Sequence, residues 1–262
     1  MTAVAATEEN LDRSGPWTDL ALTMPVFIGY HLGVVFLPYR NAADWVTQEL
    51  QALVDHSMPI YALLTVSLGA AYVVPLLMMG RGKHISWNRF AWMGTEGVLY
   101  AVAMRILAGL AAARLFSWVT EQDDAVGLLR VAPALSYSVE QASDALDAGT
   151  RFTGVIMSLG AGFYEELTFR ALLYGGGAAL LIFLFNIARG MKRMLVRIVW
   201  ALVAAIAFSA WHHYGAFGED FDLKIFCFRA ACGLVFTVIY ELRGLAPAVW
   251  THALYDLWVM AF

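Results

Sequence analysis

The chain has 262 residues, of which 60% are hydrophobic and only 15% are charged, and its mean hydropathy is +0.64. Soluble globular domains carry about 25% charged residues, so this composition excludes an ordinary soluble domain and indicates an integral membrane protein. The net charge of −4 provides no basic surface for a polyanion, and we therefore expect no nucleic-acid partner.

Residues 1–18 form a polar, acidic N-terminal tail without the basic and short apolar regions of a cleaved signal peptide, so we expect the tail to be retained. Residues 19–262 are interpreted as a single transmembrane domain, because no repeat, low-complexity tract or soluble second domain interrupts them. The chemistry-bearing motifs described below lie at about 150–262.

A membrane-spanning helix needs about 20 mostly apolar residues. Segments that meet this requirement predict an all-α fold, a polytopic bundle of about eight transmembrane helices, near 19–38, 59–79, 90–116, 152–174, 178–195, 198–217, 224–242 and 245–262. The span at 178–195 is doubtful because its apolar part ends at Ala188. We interpret Gly175-Gly176-Gly177 as a turn between two spans, in preference to a flexible point for substrate access.

The loops differ in charge, which predicts an orientation. Basic residues occur at 81–89 and 189–197, and acidic residues at 121–124 and 219–222, so the basic loops are expected in the cytoplasm. Two full crossings between Arg151 and Arg189 conflict with this assignment, because they cannot connect an outer acidic loop with an inner basic one. Either one of the two segments does not cross fully or the charge rule fails here.

Ionisable residues inside spans are costly and by default face a bundle interior or a wet cavity. They cluster here as Glu165-Glu166-x-x-x-Arg170, as His212 in a second span, and as His252-x-x-x-Asp256 in a third. Residues four apart share a helical face, so Glu166 and Arg170 are expected to pair, and so are His252 and Asp256. Glu165 lies about 100° from Glu166 around the helix axis and is left to face a cavity.

One carboxylate and two imidazoles from separate helices are suited to acid–base chemistry. A buried carboxylate is a stronger base for activating water, and donors in a dry cavity stabilise an oxyanion strongly. The set therefore favours hydrolysis of a peptide bond within or beside the membrane.

The three motifs, EELTFR at 165–170, FSAWH at 208–212 and HALYD at 252–256, resemble those of the CPBP family of intramembrane proteases. This family includes the type II CAAX prenyl endopeptidases and the bacterial Abi proteins associated with bacteriocin processing and self-immunity. Its pattern is EExxxR, then FxxxH, then HxxxN or HxxxD, each on a transmembrane helix. The resemblance covers about 150–262, and the first 150 residues match only as generic apolar helices.

The resemblance implies that Glu165 activates water with assistance from His212, and that His252 and Asp256 face the oxyanion. It also implies that Glu166 and Arg170 support the shape of the site. The eukaryotic prenyl proteases carry Asn where this chain has Asp256, and an ionised Asp cannot donate a hydrogen bond to an oxyanion. We therefore favour a role for Asp256 in orienting His252 or holding it as an imidazolium.

Several alternatives stay open at this stage. The family has been discussed as metal-dependent, in which case Zn²⁺ would be bound by Glu165, His212 and His252. We favour a site with no metal or other cofactor, because the sequence contains no compact HExxH pair. Glu166 and Arg170 are equally consistent with a purely structural buried ion pair.

Other residues that bear chemistry are given no catalytic role. His213 is interpreted as a packing or interfacial histidine, and His31, His56 and His84 lie outside the motifs. Cys227 and Cys232 are interpreted as small packing residues. Glu96 and Arg105 lie in one span on opposite faces, so they are not expected to pair with each other.

The leading functional hypothesis is an intramembrane endopeptidase that cleaves a membrane-associated protein or peptide near a terminus. The alternatives are a non-catalytic CPBP-type scaffold or bacteriocin self-immunity protein and, less favoured, a proton-coupled transporter. The expected partners are the lipid bilayer and a peptide or protein substrate that enters from the membrane. Short loops favour a multi-pass protein of the bacterial plasma (inner) membrane. The family allows prenylated tails, sorting signals, bacteriocin leaders and peptide pheromones as substrates, and the sequence does not choose among them.

Overall fold

A computed structural model of the chain describes residues 16–37, 41, 43–44, 57–79, 87–116, 148–214 and 219–261. Every regular element in these ranges is helical, as predicted. The seven helices are α1 (Pro16–Val34), α2 (Met58–Met79), α3 (Trp87–Phe116), α4 (148–184), α5 (Met191–Trp211), α6 (Leu223–Arg243) and α7 (Leu245–Ala261). The tail residues 1–15 lie outside the described ranges, and α1 begins before the predicted boundary at residue 18.

Helix α4 is one continuous element in which the backbone changes its hydrogen-bonding pattern. It is α-helical over Ala148–Gly160, π-helical over Ala161–Glu165 and Leu167–Gly176, and α-helical again over Gly177–Leu184. The prediction of separate spans at 152–174 and 178–195 is therefore wrong, and so is the predicted glycine turn. Gly176 and Gly177 have ordinary helical dihedral angles, because glycine lowers helix propensity without forbidding the conformation.

The chain reverses after Leu184 instead, where Asn186 and Gly190 have positive φ angles of 45° and 105°. Only one helix consequently lies between Arg151 and Arg189. A single crossing is compatible with an acidic outer loop before α4 and a basic inner loop after it. The conflict between helix count and loop charge disappears, and the orientation itself stays a prediction.

Five of the described helices are long and apolar enough to cross a membrane: α2, α3, α4, α5 and α6. Large apolar side chains on their outer faces are exposed, among them Leu63, Leu99 and Leu195 at 66%, 64% and 57%. Exposed apolar surface of this extent is typical of a protein that contacts lipid. The chain is an integral, multi-pass membrane protein.

Helix α7 is the central element of the bundle and packs against α1, α3, α4 and α6. It contributes to two apolar clusters, one with Phe208 and Phe236 and the other with Phe27 and Phe163. Its first turn is fixed by α1, because Asp19 Oδ2 accepts a hydrogen bond of 3.0 Å from the Leu245 backbone N–H. The same helix carries two polar residues of the third motif, His252 and Asp256, both of them buried.

Candidate active site

The three motifs converge although they come from different helices. Glu165 and Arg170 lie on the two π-helical stretches of α4, with Glu166 between the stretches. His212 follows the last residue of α5, and His252 and Asp256 lie on α7. π-Helical turns are rare, and those that do occur are often found at functional sites. The two π-helical stretches therefore indicate that this part of α4 is a functional site.

Glu165 is a buried carboxylate whose two oxygens have different surroundings. Oε1 accepts a hydrogen bond of 2.9 Å from Nδ2 of Asn41. Oε2 lies 3.5 Å from Nε2 of His212 and 3.9 Å from Nε2 of His252. Within the described residues Oε2 has no hydrogen-bond donor. One oxygen of Glu165 is therefore anchored, and the other faces two imidazole rings.

The tautomer of His212 follows from its second ring nitrogen. Nδ1 lies 2.8 Å from the Phe208 carbonyl oxygen, which can only accept, so Nδ1 carries the proton. In the tautomer that this contact selects, Nε2 is the nitrogen without a proton, and it is the one that faces Glu165. The side chain of His212 is 20% exposed, whereas that of Glu165 is 7% exposed, so His212 lies on the more open side of the site.

Glu166 is fully buried, and one of its carboxylate oxygens contacts two other side chains. Its Oε1 lies 3.0 Å from Nη1 of Arg170 and 2.6 Å from Nδ1 of His252. The guanidinium of Arg170 lies over the rings of Phe208 and Phe236, 4.1 and 4.9 Å from their centroids. The expected contact with Arg170 is present, but the contact with His252 was not anticipated, because helix geometry directed Glu166 away from the cavity.

His252 has a carboxylate at each ring nitrogen. Nδ1 faces Glu166, and Nε2 lies 3.4 Å from Oδ2 of Asp256. The ring also stacks on Phe236, with centroids 4.6 Å apart and planes 23° apart. Carboxylates only accept hydrogen bonds, so an imidazolium, which donates from both nitrogens, satisfies both neighbours. Its stacked position fixes the direction in which Nε2 points.

Asn41 is a site residue that the sequence did not reveal. It lies after α1, 124 positions before the glutamate that it contacts, and it is 6% exposed. The family resemblance begins at about residue 150, and a single asparagine in a polar segment has no spacing pattern that predicts a contact. No signal in the sequence identified it.

Two further charged residues of α3 have partners other than the motif residues. Glu96 pairs with Arg243 of α6 at 2.6 Å, and Arg105 lies over the ring of Trp258 at 4.9 Å. Neither pairs with the other, as predicted. Cys227 and Cys232 are both free thiols.

The remaining histidines take structural contacts where they are described. His31 is buried, with Nδ1 2.9 Å from the Phe27 carbonyl oxygen and Nε2 2.9 Å from the Tyr164 hydroxyl. Nδ1 of His213 lies 3.2 Å from the Glu219 carbonyl oxygen, and the ring packs against those of Phe221 and Phe226. His56 and His84 lie outside the described residues.

Glu165, His212 and His252 are the side chains that would bind zinc if the site held a metal. Within the described ranges, no three His, Cys, Asp or Glu side chains are arranged to hold a metal ion. The three approach one another, with the imidazole Nε2 atoms 3.5 and 3.9 Å from Oε2 of Glu165, but they do not form such a group. The residues as placed do not fit the ion.

Residues 148–258 match a family model described as "Type II CAAX prenyl endopeptidase Rce1-like". The matched range begins at the first residue of α4 and contains all three motifs. No curated protein and no solved structure matches the chain. Over these residues the chain is therefore similar to a family of proteases, and the remaining residues lie outside the match.

Proposed function

We propose that this chain, which is similar to the Rce1-like family over residues 148–258, is an intramembrane endopeptidase that cleaves a membrane-associated protein or peptide near a terminus. The observation that carries the proposal is the position of Glu165 Oε2. It is buried, it lacks a hydrogen-bond donor among the described residues, and it faces His212 and His252. A base held in that environment is suited to activating water.

In the proposed reaction, Glu165 Oε2 takes a proton from a water molecule as the water oxygen attacks the carbonyl carbon of the scissile peptide bond. Nε2 of His212 accepts a hydrogen bond from the other O–H of that water and orients it, and this hydrogen stays on the attacking oxygen. The protonated Glu165 then gives its proton to the leaving nitrogen as the C–N bond breaks. The products are a carboxylic acid and an amine, so protons and electron pairs balance without another reactant.

The negative charge of the tetrahedral intermediate develops on the former carbonyl oxygen. We assign its stabilisation to His252, whose imidazolium form carries a proton on Nε2. Glu166 holds the opposite side of this ring at 2.6 Å, and Asp256 lies 3.4 Å from Nε2. A donor held in advance in a low-dielectric site is worth more than the same donor in water, because it does not have to reorient during the reaction.

The more exposed position of His212 supports substrate access from that side of the site. His212 directly follows α5, and the neighbouring Trp211 and Tyr214 are 44% and 78% exposed. A peptide that approaches along the membrane face at the end of α5 would meet His212 before Glu165. Access toward one leaflet follows as part of the proposal.

The test compares protein termini in host membranes from four strains: wild type, a deletion, and the deletion complemented with Glu165→Gln or with Glu241→Gln. Glu241 is a matched carboxylate on α6, paired with Arg197 at 2.9 Å. We expect the same cleaved termini to disappear in the deletion and in the Glu165→Gln strain, and to return with Glu241→Gln.

Membrane levels of each variant, measured by immunoblotting, control for folding. Normal termini in the Glu165→Gln strain at wild-type protein levels would overturn the proposal. The same result would favour the non-catalytic scaffold or immunity protein, in which the carboxylate is structural.

A further inference from the structure

Asn41 is the one described residue outside the matched range 148–258 that bonds to Glu165. We infer that it is a positioning residue that holds the carboxylate so that Oε2 faces the two histidines. This inference rests on the proposed function for the role of Glu165. It gives the N-terminal part of the chain a direct part in the active site.

The orientation of the Asn41 amide is determined by its own neighbours. Oδ1 accepts a hydrogen bond of 2.8 Å from the Ala43 backbone N–H. An N–H can only donate, so the opposite end of the amide, Nδ2, must be the group directed at Glu165. Nδ2 lies 2.9 Å from Oε1, which is an ordinary distance for a hydrogen bond to a carboxylate.

The segment that carries Asn41 is itself anchored to α1. The Asn41 backbone N–H donates to the hydroxyl of Tyr30 at 3.2 Å, and that hydroxyl donates to Oδ2 of Asp44 at 2.6 Å. The Asp44 backbone N–H in turn donates to the Asn41 carbonyl at 2.9 Å. Tyr30 and Asp44 are fully buried. The donor is therefore fixed before any substrate arrives, which is the condition for effective positioning.

The division of roles between the two oxygens explains why this contact matters. Without a donor at Oε1, the carboxylate plane of Glu165 could rotate about the last side-chain bond. The Asn41 hydrogen bond fixes that plane and so keeps the other oxygen directed at His212 and His252.

The first test asks whether the contact exists, and it does not depend on a substrate. The infrared carboxylate stretch of Glu165 is isolated as the difference between the purified wild type and Glu165→Gln. We expect Asn41→Ala to shift this band and Asn88→Ala to leave it in place. Asn88 is a matched exposed asparagine in the first turn of α3. An unshifted band in Asn41→Ala would overturn the inference.

The second test asks whether the contact positions the base, by following the rate at which the cleaved termini appear. We expect Asn41→Ala to slow processing about 10- to 100-fold, because a misplacement of about 1 Å in an active site can cost about 100-fold in rate. Asn41→Asp keeps the oxygen that accepts from Ala43 but places a second carboxylate against Glu165. Asn41→Asp should therefore process at least as slowly as Asn41→Ala. If Asn41 served only to accept the hydrogen bond from Ala43, Asn41→Asp would be the faster of the two variants.

The outcomes separate this inference from the proposed function. If Glu165→Gln is inactive while both Asn41 variants process at the wild-type rate, the positioning role is wrong and the protease assignment stands. If Glu165→Gln processes normally, the protease assignment itself fails. Loss of folding in both Asn41 variants, seen as loss of protein from the membrane, would make Asn41 a structural residue and overturn the inference.

Discussion

Nδ1 of His252 lies 2.6 Å from Oε1 of Glu166, the same oxygen that faces the guanidinium of Arg170 at 3.0 Å. This contact joins the first motif to the third across 86 positions of sequence. It makes Glu166 a support for the imidazole of His252 as well as half of an ion pair. The two adjacent glutamates therefore act on opposite nitrogens of one ring, Glu166 on Nδ1 and Glu165 near Nε2.

Replacing Glu166 with Gln should reduce both stability and processing. The change leaves the buried charge of Arg170 without its carboxylate, and breaking a buried pair in this way costs about 3–5 kcal/mol. It also weakens the hold on His252. We expect a lower melting temperature in detergent and slower appearance of the cleaved termini.

Glu241→Gln is the matched control, because Glu241 pairs with an arginine whose side chain is 45% exposed. Exposed pairs contribute about 0–1 kcal/mol, so its melting temperature should stay close to that of the wild type. Equal melting temperatures for the two variants would contradict a buried pair at Glu166.

Replacing Asp256 with Asn should be tolerated. Glu166 lies closer to the ring of His252 than Asp256 does, at 2.6 Å against 3.4 Å, so the orientation of the ring depends first on Glu166. An Asn side chain still offers a carbonyl oxygen to Nε2, and its amide is a donor to an oxyanion. We expect processing within about 10-fold of wild type, which is less than 1.4 kcal/mol in the barrier.

Asp256→Leu is the comparison for this change, because leucine has a similar size and offers no acceptor. It should process much more slowly than Asp256→Asn. Equal loss in both variants would mean that the negative charge at position 256 is required, and the orienting role would be abandoned.

Much of the architecture followed from apolar runs, whereas the details of α4 did not. Helices α2, α3, α6 and α7 begin and end within three residues of the predicted limits. The glycine triplet was misread because three glycines weaken a helix in isolation, while here the packing of Trp200 against this segment, with a hydrogen bond to the Leu173 carbonyl, keeps it helical. Tertiary contacts decided a conformation that local propensity left undetermined.

The candidate site was predictable to the extent that its residues repeat at helical spacing. The spacing of Glu166 and Arg170 predicted a contact that is present at 3.0 Å. The contact of Glu166 with His252 was not predictable, because an angle of about 100° per residue describes an α-helix and this part of α4 is π-helical. Asn41 was missed because a contact over 124 positions depends on the whole bundle.

Metal chelation should leave the activity intact. The described residues contain no group of three His, Cys, Asp or Glu side chains arranged to hold an ion, and the proposed steps use only side chains and water. We expect detergent-solubilised membranes to keep generating the cleaved termini after treatment with 1,10-phenanthroline. Loss of activity that added Zn²⁺ restores, while the non-chelating 1,7-phenanthroline has no effect, would instead support zinc bound by Glu165, His212 and His252.

Gly162 sets the distance between α4 and α7 and should tolerate no side chain. A Cβ atom at this position would lie 2.8 Å from the Ala253 backbone nitrogen and 2.8 Å from the Val249 carbonyl oxygen, so the backbone of α7 would have to move. Gly162→Ala therefore separates the helix that carries Glu165 from the helix that carries His252. Effective catalytic geometry is sensitive to displacements of about 1 Å, and we expect a loss of processing of about 100-fold together with a lower melting temperature.

Gly176→Ala provides the contrast on the same helix. A Cβ atom there would meet only the Ala171 carbonyl oxygen at 3.6 Å, which is an ordinary contact. Replacing a helical glycine with alanine favours the helix by about 1 kcal/mol, so this variant should process normally and melt at the same or a higher temperature. Normal processing by Gly162→Ala would show that the close approach of α4 and α7 at this position is not required. The contact between Glu165 and His252 would then not depend on the distance between the two helices.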